Sequence, residues 1–346
     1  MVVDFVVIGN GLAGLSFSEQ LRVHQKSFVV FDNASQQSST VAGGLYNPVV
    51  LKRFTPVWKS KEQLEIALAL YNSIEREFKI KIDYKIPVLR KFVSREEQND
   101  WFSASDKPKL SEFLSTNLVK NKNTSIDAPY GFGEVLQTGR IDVFTLMETY
   151  KTHLLEQKRF FETEFLYDEL EILKDGFQYF DIKAKHIVFT EGYGIKNNKF
   201  FKDLPLIGTK GELLTIHAPD LKLDYVLKSA VFIIPLGNDL YKIGSTYNWS
   251  DRSNNVTEEA KEELLSKLNR FINCSYKVVD HVAGIRPTVK DRRPIVGRHA
   301  QHKNMFILNG LGTRGVMIGP YVAKQLFDLI EKGIPLDAEI DLKRFK

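Results

Sequence analysis

Apolar residues fall along this chain in two alternating periods. Val2, Val3, Phe5, Val6, Val7 and Ile8 form a nearly unbroken run, as in a strand buried on both faces, and Leu15 to about Arg22 follows as a predicted helix. Ser27 to Phe31 predicts a second strand, ending at Asp32. Leu64, Ala67, Leu68, Tyr71, Ile74 and Phe78 then recur at helical spacing from Lys61 onward, which predicts one amphipathic helix. Strand-like pieces at Ile80–Tyr84 and Val88–Val93 and a helical segment near Arg95–Phe102 come next. Residues 103–130 show no clear period and are expected to be exposed excursions.

Ile141 to Glu156 reads as a helix through Phe144, Met147 and Leu154. Short strands lead to Lys185–Thr190, closed by Glu191-Gly192-Tyr193-Gly194, with His186 expected to be exposed at the mouth of that strand. Gly211–His217, Val231–Pro235 and Tyr241–Thr246 predict antiparallel strands divided by turn residues such as Gly237-Asn238-Asp239. Thr257 is placed to cap a helix to Phe271, with Glu258 and Glu259 in its first turn. The last segment is a strand at Met305–Leu308, a glycine loop at Asn309–Gly315, and a helix carrying Val322, Leu326, Leu329 and Ile330 that Gly333 and Pro335 stop.

Between the first strand and first helix stand Gly9-Asn10-Gly11-Leu12-Ala13-Gly14. Glycines at this spacing let the chain turn sharply, approach a pyrophosphate and pack helix on strand, while the helix amides point at the phosphates. Such patterns also occur as plain strand-to-helix turns. Here the strand before, the helix after and the second strand ending in Asp32 favour dinucleotide binding, with Asp32 near the spacing of a ribose-binding carboxylate. Val41-Ala42-Gly43-Gly44-Leu45-Tyr46-Asn47-Pro48 is either a simple turn or backbone brought close to something flat.

The expected fold class is therefore α/β: a Rossmann-like dinucleotide-binding domain built from both chain ends, with an inserted antiparallel β-rich domain. We assign 1–60, 135–205 and 280–346 to the first and 61–134 and 206–279 to the second, which would bind substrate.

Bulk properties narrow the function classes. The chain has 346 residues, 43% hydrophobic and 26% charged, which suits a folded globular protein of two domains. No window approaches the roughly 18 apolar residues of a membrane span, and the apolar start lacks a basic leader. One cysteine, Cys274, allows neither an internal disulfide nor a multi-thiolate metal site, so a cytoplasmic protein without a metal centre is expected. A net charge of +5 is spread over lysines 52, 59, 61, 120, 122, 196 and 199, a solvated face unless the fold makes them converge on nucleic acid.

Six pieces in order resemble the D-amino-acid oxidase family of FAD-dependent oxidoreductases, in the branch with glycine oxidase and sarcosine oxidase. They are Gly9-x-Gly11-x-x-Gly14, Ala42–Pro48, Phe189-Thr190-Glu191-Gly192, Lys242–Thr246, Gly284–Thr288 with Asp291 and Pro294–Gly297, and Gly310–Gly315. Gly244-Ser245-Thr246-Tyr247 and the Gly-Thr-Arg-Gly turn are also similar to the FAD domain of the bifunctional enzyme that matures 5-carboxymethylaminomethyl uridine in tRNA, whose methyltransferase half is absent here.

The resemblance implies that the first domain is a Rossmann-like FAD/NAD(P)-binding domain of the glutathione-reductase kind, and that its FAD is non-covalent, since no cysteine stands near Gly284 where sarcosine oxidases attach flavin. It implies that Gly9, Gly11, Leu12, Ala13, Gly14, Asp32 and Asn33 hold the ADP half, though many relatives have glutamate where Asp32 stands. Gly43, Gly44 and Leu45 would lie against the isoalloxazine, with Gly192 in the third piece. Gly312, Thr313, Arg314, Gly315, Val316 and Met317 would bring amides and a helix N-terminus to the pyrimidine edge. Arg286 matches the arginine that pairs with the substrate carboxylate, and a guanidinium fork suits that role; pairing with Asp291 is the alternative. Lys242 falls where sarcosine oxidases keep a lysine that helps flavin react with oxygen. Tyr247, Tyr46 and Trp58 are either pocket walls or core. The implied activity is oxidation of a small amino acid or N-substituted glycine. The rivals are carboxymethyl removal from modified tRNA, the less favoured partner, and a non-catalytic dinucleotide-binding module. No dedicated acid or base is evident.

Overall fold

In the computed structural model, which describes residues 1–345, the strand Val2–Ile8 is flanked by parallel strands on both sides. Phe28–Phe31 pairs along one edge and carries Phe160–Phe161 beyond it; Ile182–Phe189 pairs along the other and carries Met305–Asn309. The chain thus builds outward in one direction from its first strand and then returns to build in the other, the reversal that marks a doubly wound sheet. The strand is covered on both faces, since the adjacent residues Val6 and Val7, which project to opposite sides of the sheet, are both buried.

By compactness the chain divides into two units, residues 1–42, 143–209 and 284–346, and residues 43–142 and 210–283. Residues 43–60 and 135–142 group with the second unit here. The first unit holds the parallel sheet, with a core that includes Ile8, Phe31, Phe189, Ile187 and Ile307. Its helix Leu12–Val23 packs beside the helix Gly315–Lys332, where a Cβ on Gly315 would come 2.9 Å from Leu12 Cδ1.

The second unit is built on strands of an eight-stranded, mostly antiparallel sheet. Leu206–His217, Leu240–Gly244 and Phe232–Gly237 are consecutive neighbours in it, close to the predicted antiparallel run. Thr257 caps the helix Glu258–Leu268, its Oγ1 accepting from Ala260 N at 3.3 Å. The same Thr257 donates from N and Oγ1 to the buried Glu212 carboxylate at 2.8 and 2.9 Å, which ties that helix to its sheet. Glu212 in turn lies 3.3 Å from Lys210 Nζ, which also meets Asp251 at 2.5 Å, so a buried charge is matched on every side.

Two expectations change. Residues 103–130 include a strand, Leu114–Val119, whose Ser115 carbonyl accepts from Trp101 Nε1 at 2.9 Å; the polar run Ser115-Thr116-Asn117 hides its period. His186 is buried, 7% exposed, between Phe5 and Phe306. Burial first, and Lys185 next, push its pKa down to about 4.

Candidate functional site

The turn after Val2–Ile8 is locked by its neighbours on both sides. Gly9 N donates to Phe31 O and Thr190 N to Ile8 O, each at 2.7 Å, and Thr190 Oγ1 bonds Gly9 O at 2.7 Å. Gly9 has φ +99°, and a Cβ there would lie 2.8 Å from Thr190 O, so glycine is required on both counts. A Cβ on Gly14 would overlap Gly9 O, which is how helix Leu12–Val23 comes so near the strand. Gly11 precedes that helix with no side-chain cap; Leu12 N instead donates to Ser39 Oγ at 3.0 Å. Leu12 and Ala13 are buried in its first turn.

Asp32 sits at the end of the adjacent strand. Its carboxylate accepts from Asn10 N and, at 2.6 Å, from Ala34 N. Asn33 is exposed and its Oδ1 accepts from Ser35 N at 3.1 Å, so that side chain shapes the loop. Asn10 is 7% exposed and its Oδ1 has no protein partner. A bare glycine turn, an uncapped helix start, a carboxylate and an orphaned buried amide oxygen, all at the reversal point of a parallel sheet, fit a dinucleotide.

Around the same sheet end, Gly192 has φ +56° and its carbonyl accepts from Asn309 Nδ2 at 2.9 Å. Gly312 has φ +60° with open space about its Cα, and its N–H donates to Pro287 O at 2.9 Å. The helix Gly315–Lys332 begins after Arg314 without a side-chain cap. Thr313 is exposed, Arg314 half-buried, and Val316 and Met317 are buried, with Met317 N turned back to Arg314 O at 2.9 Å. Arg286 is half-buried on the strand Lys277–Val289. Asp291 pairs with Arg344 at 3.1 Å. A Cβ on Gly284 would lie 2.8 Å from Val41 Cγ2 and 3.1 Å from Ser38 Cα, so a larger side chain there forces its neighbours to move.

The second unit brings another group of these residues together. Lys242 is half-buried on Leu240–Gly244, directly across from Thr215 on one neighbouring strand and Ile234 on the other. A Cβ on Gly43 would lie 2.7 Å from Ile234 Cδ1, so bare backbone reaches the sheet beside the lysine. Gly44, with φ +70°, accepts from Ile141 N at 2.9 Å, and Leu45 pairs with Arg140. Burial, and to a smaller degree Arg140, hold the Lys242 ammonium below its usual range against the opposing pull of Asp280 and Asp142.

Tyr247 is exposed and Trp58 half-buried. Tyr46 is a core residue: it is buried, its hydroxyl donates to Asp83 Oδ1 at 2.8 Å, and burial with that carboxylate raises its pKa strongly. Arg140, buried in the short strand Gly139–Ile141 with no partner for its Nε, was given no role by sequence reasoning, because one arginine after a glycine carries no signal. Among the described residues no group of three His, Cys, Asp or Glu side chains is placed to hold a metal, and no helix is long and apolar enough to cross a membrane.

The family profile described as DAO, FAD dependent oxidoreductase, matches residues 4–329. The chain belongs to that family. As a DAO-family FAD-dependent oxidoreductase it is similar to the glycine oxidase of Bacillus subtilis (strain 168), 27% identical over 157 residues, 43% of this chain and 42% of that one. It is 23% identical over 186 residues to the tRNA 5-methylaminomethyl-2-thiouridine biosynthesis bifunctional protein MnmC of Legionella pneumophila (strain Corby), covering 45% of this chain and 28% of that protein. The matched stretches thus span less than half the length of these curated relatives. The crystal structure of glycine oxidase from Geobacillus kaustophilus superposes with a TM-score of 0.82 at 17% identity, over 100% of this chain and 98% of that one, a likeness of fold.

Proposed function

We propose that this DAO-family protein oxidises the C–N bond of a small amino acid or N-substituted glycine, giving an imine that water hydrolyses. When bound, FAD supplies the two-electron acceptor for the hydride leaving the substrate α-carbon. Arg286 would hold the substrate carboxylate by its guanidinium fork and so orient the neighbouring C–H, an effect of proximity and alignment rather than of acid–base chemistry. The observation that carries the reading is the Gly43 backbone packed against Ile234, whose strand partner is the half-buried Lys242. That pairing suits a planar ring which gains negative charge on reduction.

Under this reading the Asn10–Asp32 turn binds the ADP half, and residues 312–317 face the pyrimidine edge. The test is turnover of glycine, sarcosine, D-amino acids and proline by the wild-type protein and by Arg286→Ala. Loss of the anchor raises KM for carboxylate substrates; unchanged turnover removes the assignment.

A second reading, action on modified tRNA, draws support from the MnmC similarity and from the Gly244–Tyr247 and Gly312–Gly315 motifs. Of the lysines that would meet RNA, Lys61 faces Glu112 at 3.5 Å, Lys199 faces Asp168 at 3.0 Å, and Lys196 Nζ donates to Leu204 O at 2.9 Å. Steeply salt-dependent tRNA binding would favour this reading over the small-substrate one.

A further inference from the structure

Glu191 follows the strand Ile182–Phe189 at the place where that strand meets the glycine turn: a Cβ on Gly9 would lie 3.1 Å from Glu191 Cα. Thr190, the residue before it, bonds Gly9 O through Oγ1, so the Glu191 backbone is fixed against the turn. Both oxygens of its side chain are engaged. Oε1 accepts from the Tyr167 hydroxyl and Oε2 from Asn198 Nδ2 at 2.8 Å. Asn198 is held in that orientation, because its Oδ1 accepts from Phe200 N at 2.8 Å and from Phe201 N at 3.1 Å.

Both donors are neutral, and among the described residues no cation pairs with Glu191. The lysines of the adjoining segments are occupied elsewhere. Lys196 Nζ donates to Lys202 O at 3.1 Å and to Leu204 O at 2.9 Å, and Lys199 pairs with Asp168 at 3.0 Å. The other carboxylates nearby add negative charge: Glu164 acts on Tyr167, and Asp32 bonds Asn10 N on the far side of the turn. A carboxyl held only by neutral donors has little to offset the loss of water around its charge. Burial, against those two hydrogen bonds, pushes Glu191 up to about 7.

We propose that Glu191 is a residue of the cofactor site and takes up a proton when FAD binds, because its anionic form and the pyrophosphate repel each other at the Gly9 turn. The inference rests on the reading of Gly9–Gly14 as the pyrophosphate site. The step is a protonation alone: one proton passes from solvent to a Glu191 carboxylate oxygen, an O–H bond forms, and the Tyr167 hydroxyl can rotate to accept from it. Negative charge seated beside a carboxyl raises its pKa, so binding and protonation favour each other. FAD affinity is therefore highest where Glu191 already holds its proton, and falls as pH rises past about 7.

The experiment adds FAD to the flavin-stripped full chain from about pH 6 to 9, read by flavin fluorescence, with calorimetry in phosphate and in Tris near neutral pH. FAD carries no group that titrates in this window. Wild-type Kd should rise about tenfold across it, and the heats in the two buffers should differ by the proton taken up. Glu191→Gln keeps the shape and cannot titrate, so it should show neither effect and should bind FAD more tightly than wild type at the alkaline end. Tyr167→Phe, the variant to read if the glutamine protein does not fold, removes a donor to the carboxylate and should move the loss of affinity to higher pH. A wild-type Kd independent of pH overturns the proposal, as does a wild-type slope or proton uptake retained in Glu191→Gln, or an unshifted onset in Tyr167→Phe. Failure of Asp32→Ala to weaken FAD would instead remove the pyrophosphate reading of the turn, while the slope in Glu191→Gln would still report on Glu191.

Discussion

Asn10 donates its backbone N–H to Asp32 Oδ2, joining the glycine turn after the first strand to the tip of the second. One carboxylate therefore fixes the turn, with further help from Ala34 N at 2.6 Å, and under the proposed function its remaining acceptor capacity would serve a ribose. Asp32→Ala is expected to weaken FAD about 10- to 100-fold, with Asp32→Asn retaining part of the affinity through its amide oxygen. Equilibrium dialysis of the flavin checks both; full retention in the alanine variant would detach Asp32 from the cofactor.

Two glycines separate crowding from backbone conformation. Gly14→Ala drives a methyl into Gly9 O and to within 2.8 Å of Thr190 Oγ1, and should cost about 1–3 kcal/mol or more. Gly312→Ala meets open space and bears only its φ of +60°, about 1 kcal/mol. Urea melts of the two variants should show the larger midpoint loss for Gly14→Ala.

Stability should depend on pH through two groups of opposite sign. His186 has its pKa depressed to about 4 from 6.5, so the folded chain refuses a proton that the unfolded chain accepts, and stability falls as pH drops from about 6.5 toward 4. Glu191 has its pKa raised to about 7 from 4.5 by burial, against hydrogen bonds from Tyr167 and Asn198. Its protonated form is held in the fold, so that contribution is present below pH 4.5 and is lost as pH rises to about 7. Melting temperatures across pH 4–8 should lose the acid-side slope in His186→Phe and the neutral-side slope in Glu191→Gln.

Under the proposed function Lys242 is expected to speed re-oxidation of the reduced protein by oxygen, because its ammonium would stabilise the negative charge formed there. Lys242→Met should slow stopped-flow re-oxidation about tenfold or more. In the wild type the rate should fall as pH rises through a pKa below the ordinary lysine value of 10.5. An unchanged rate would make the side chain a packing element of its strand.

Much of this was legible in the residues because local signals and tertiary placement agree. Gly9, Gly14 and Asp32 announce a strand–turn–helix–strand unit, and the structure packs them as that unit. Periodicity placed the helix Ser60–Phe78 within one residue of its start. It failed where pattern and burial part company. His186 is polar yet packs between Phe5 and Phe306, and the first residues of the 13-residue strand Lys277–Val289 include lysine, aspartate and histidine that disguise it. The burial of Arg140 was invisible because it depends on cross-strand neighbours, Leu45 and Tyr84, that sequence spacing does not reveal.

The most direct test is an anaerobic titration of the purified FAD-loaded protein with amino acids and N-substituted glycines, followed at the visible flavin band. The account predicts stoichiometric bleaching by at least one carboxylate-bearing amine, with colour returning on exposure to an electron acceptor. A protein that binds FAD but is bleached by none of these amines, or one that refuses FAD altogether, would contradict it.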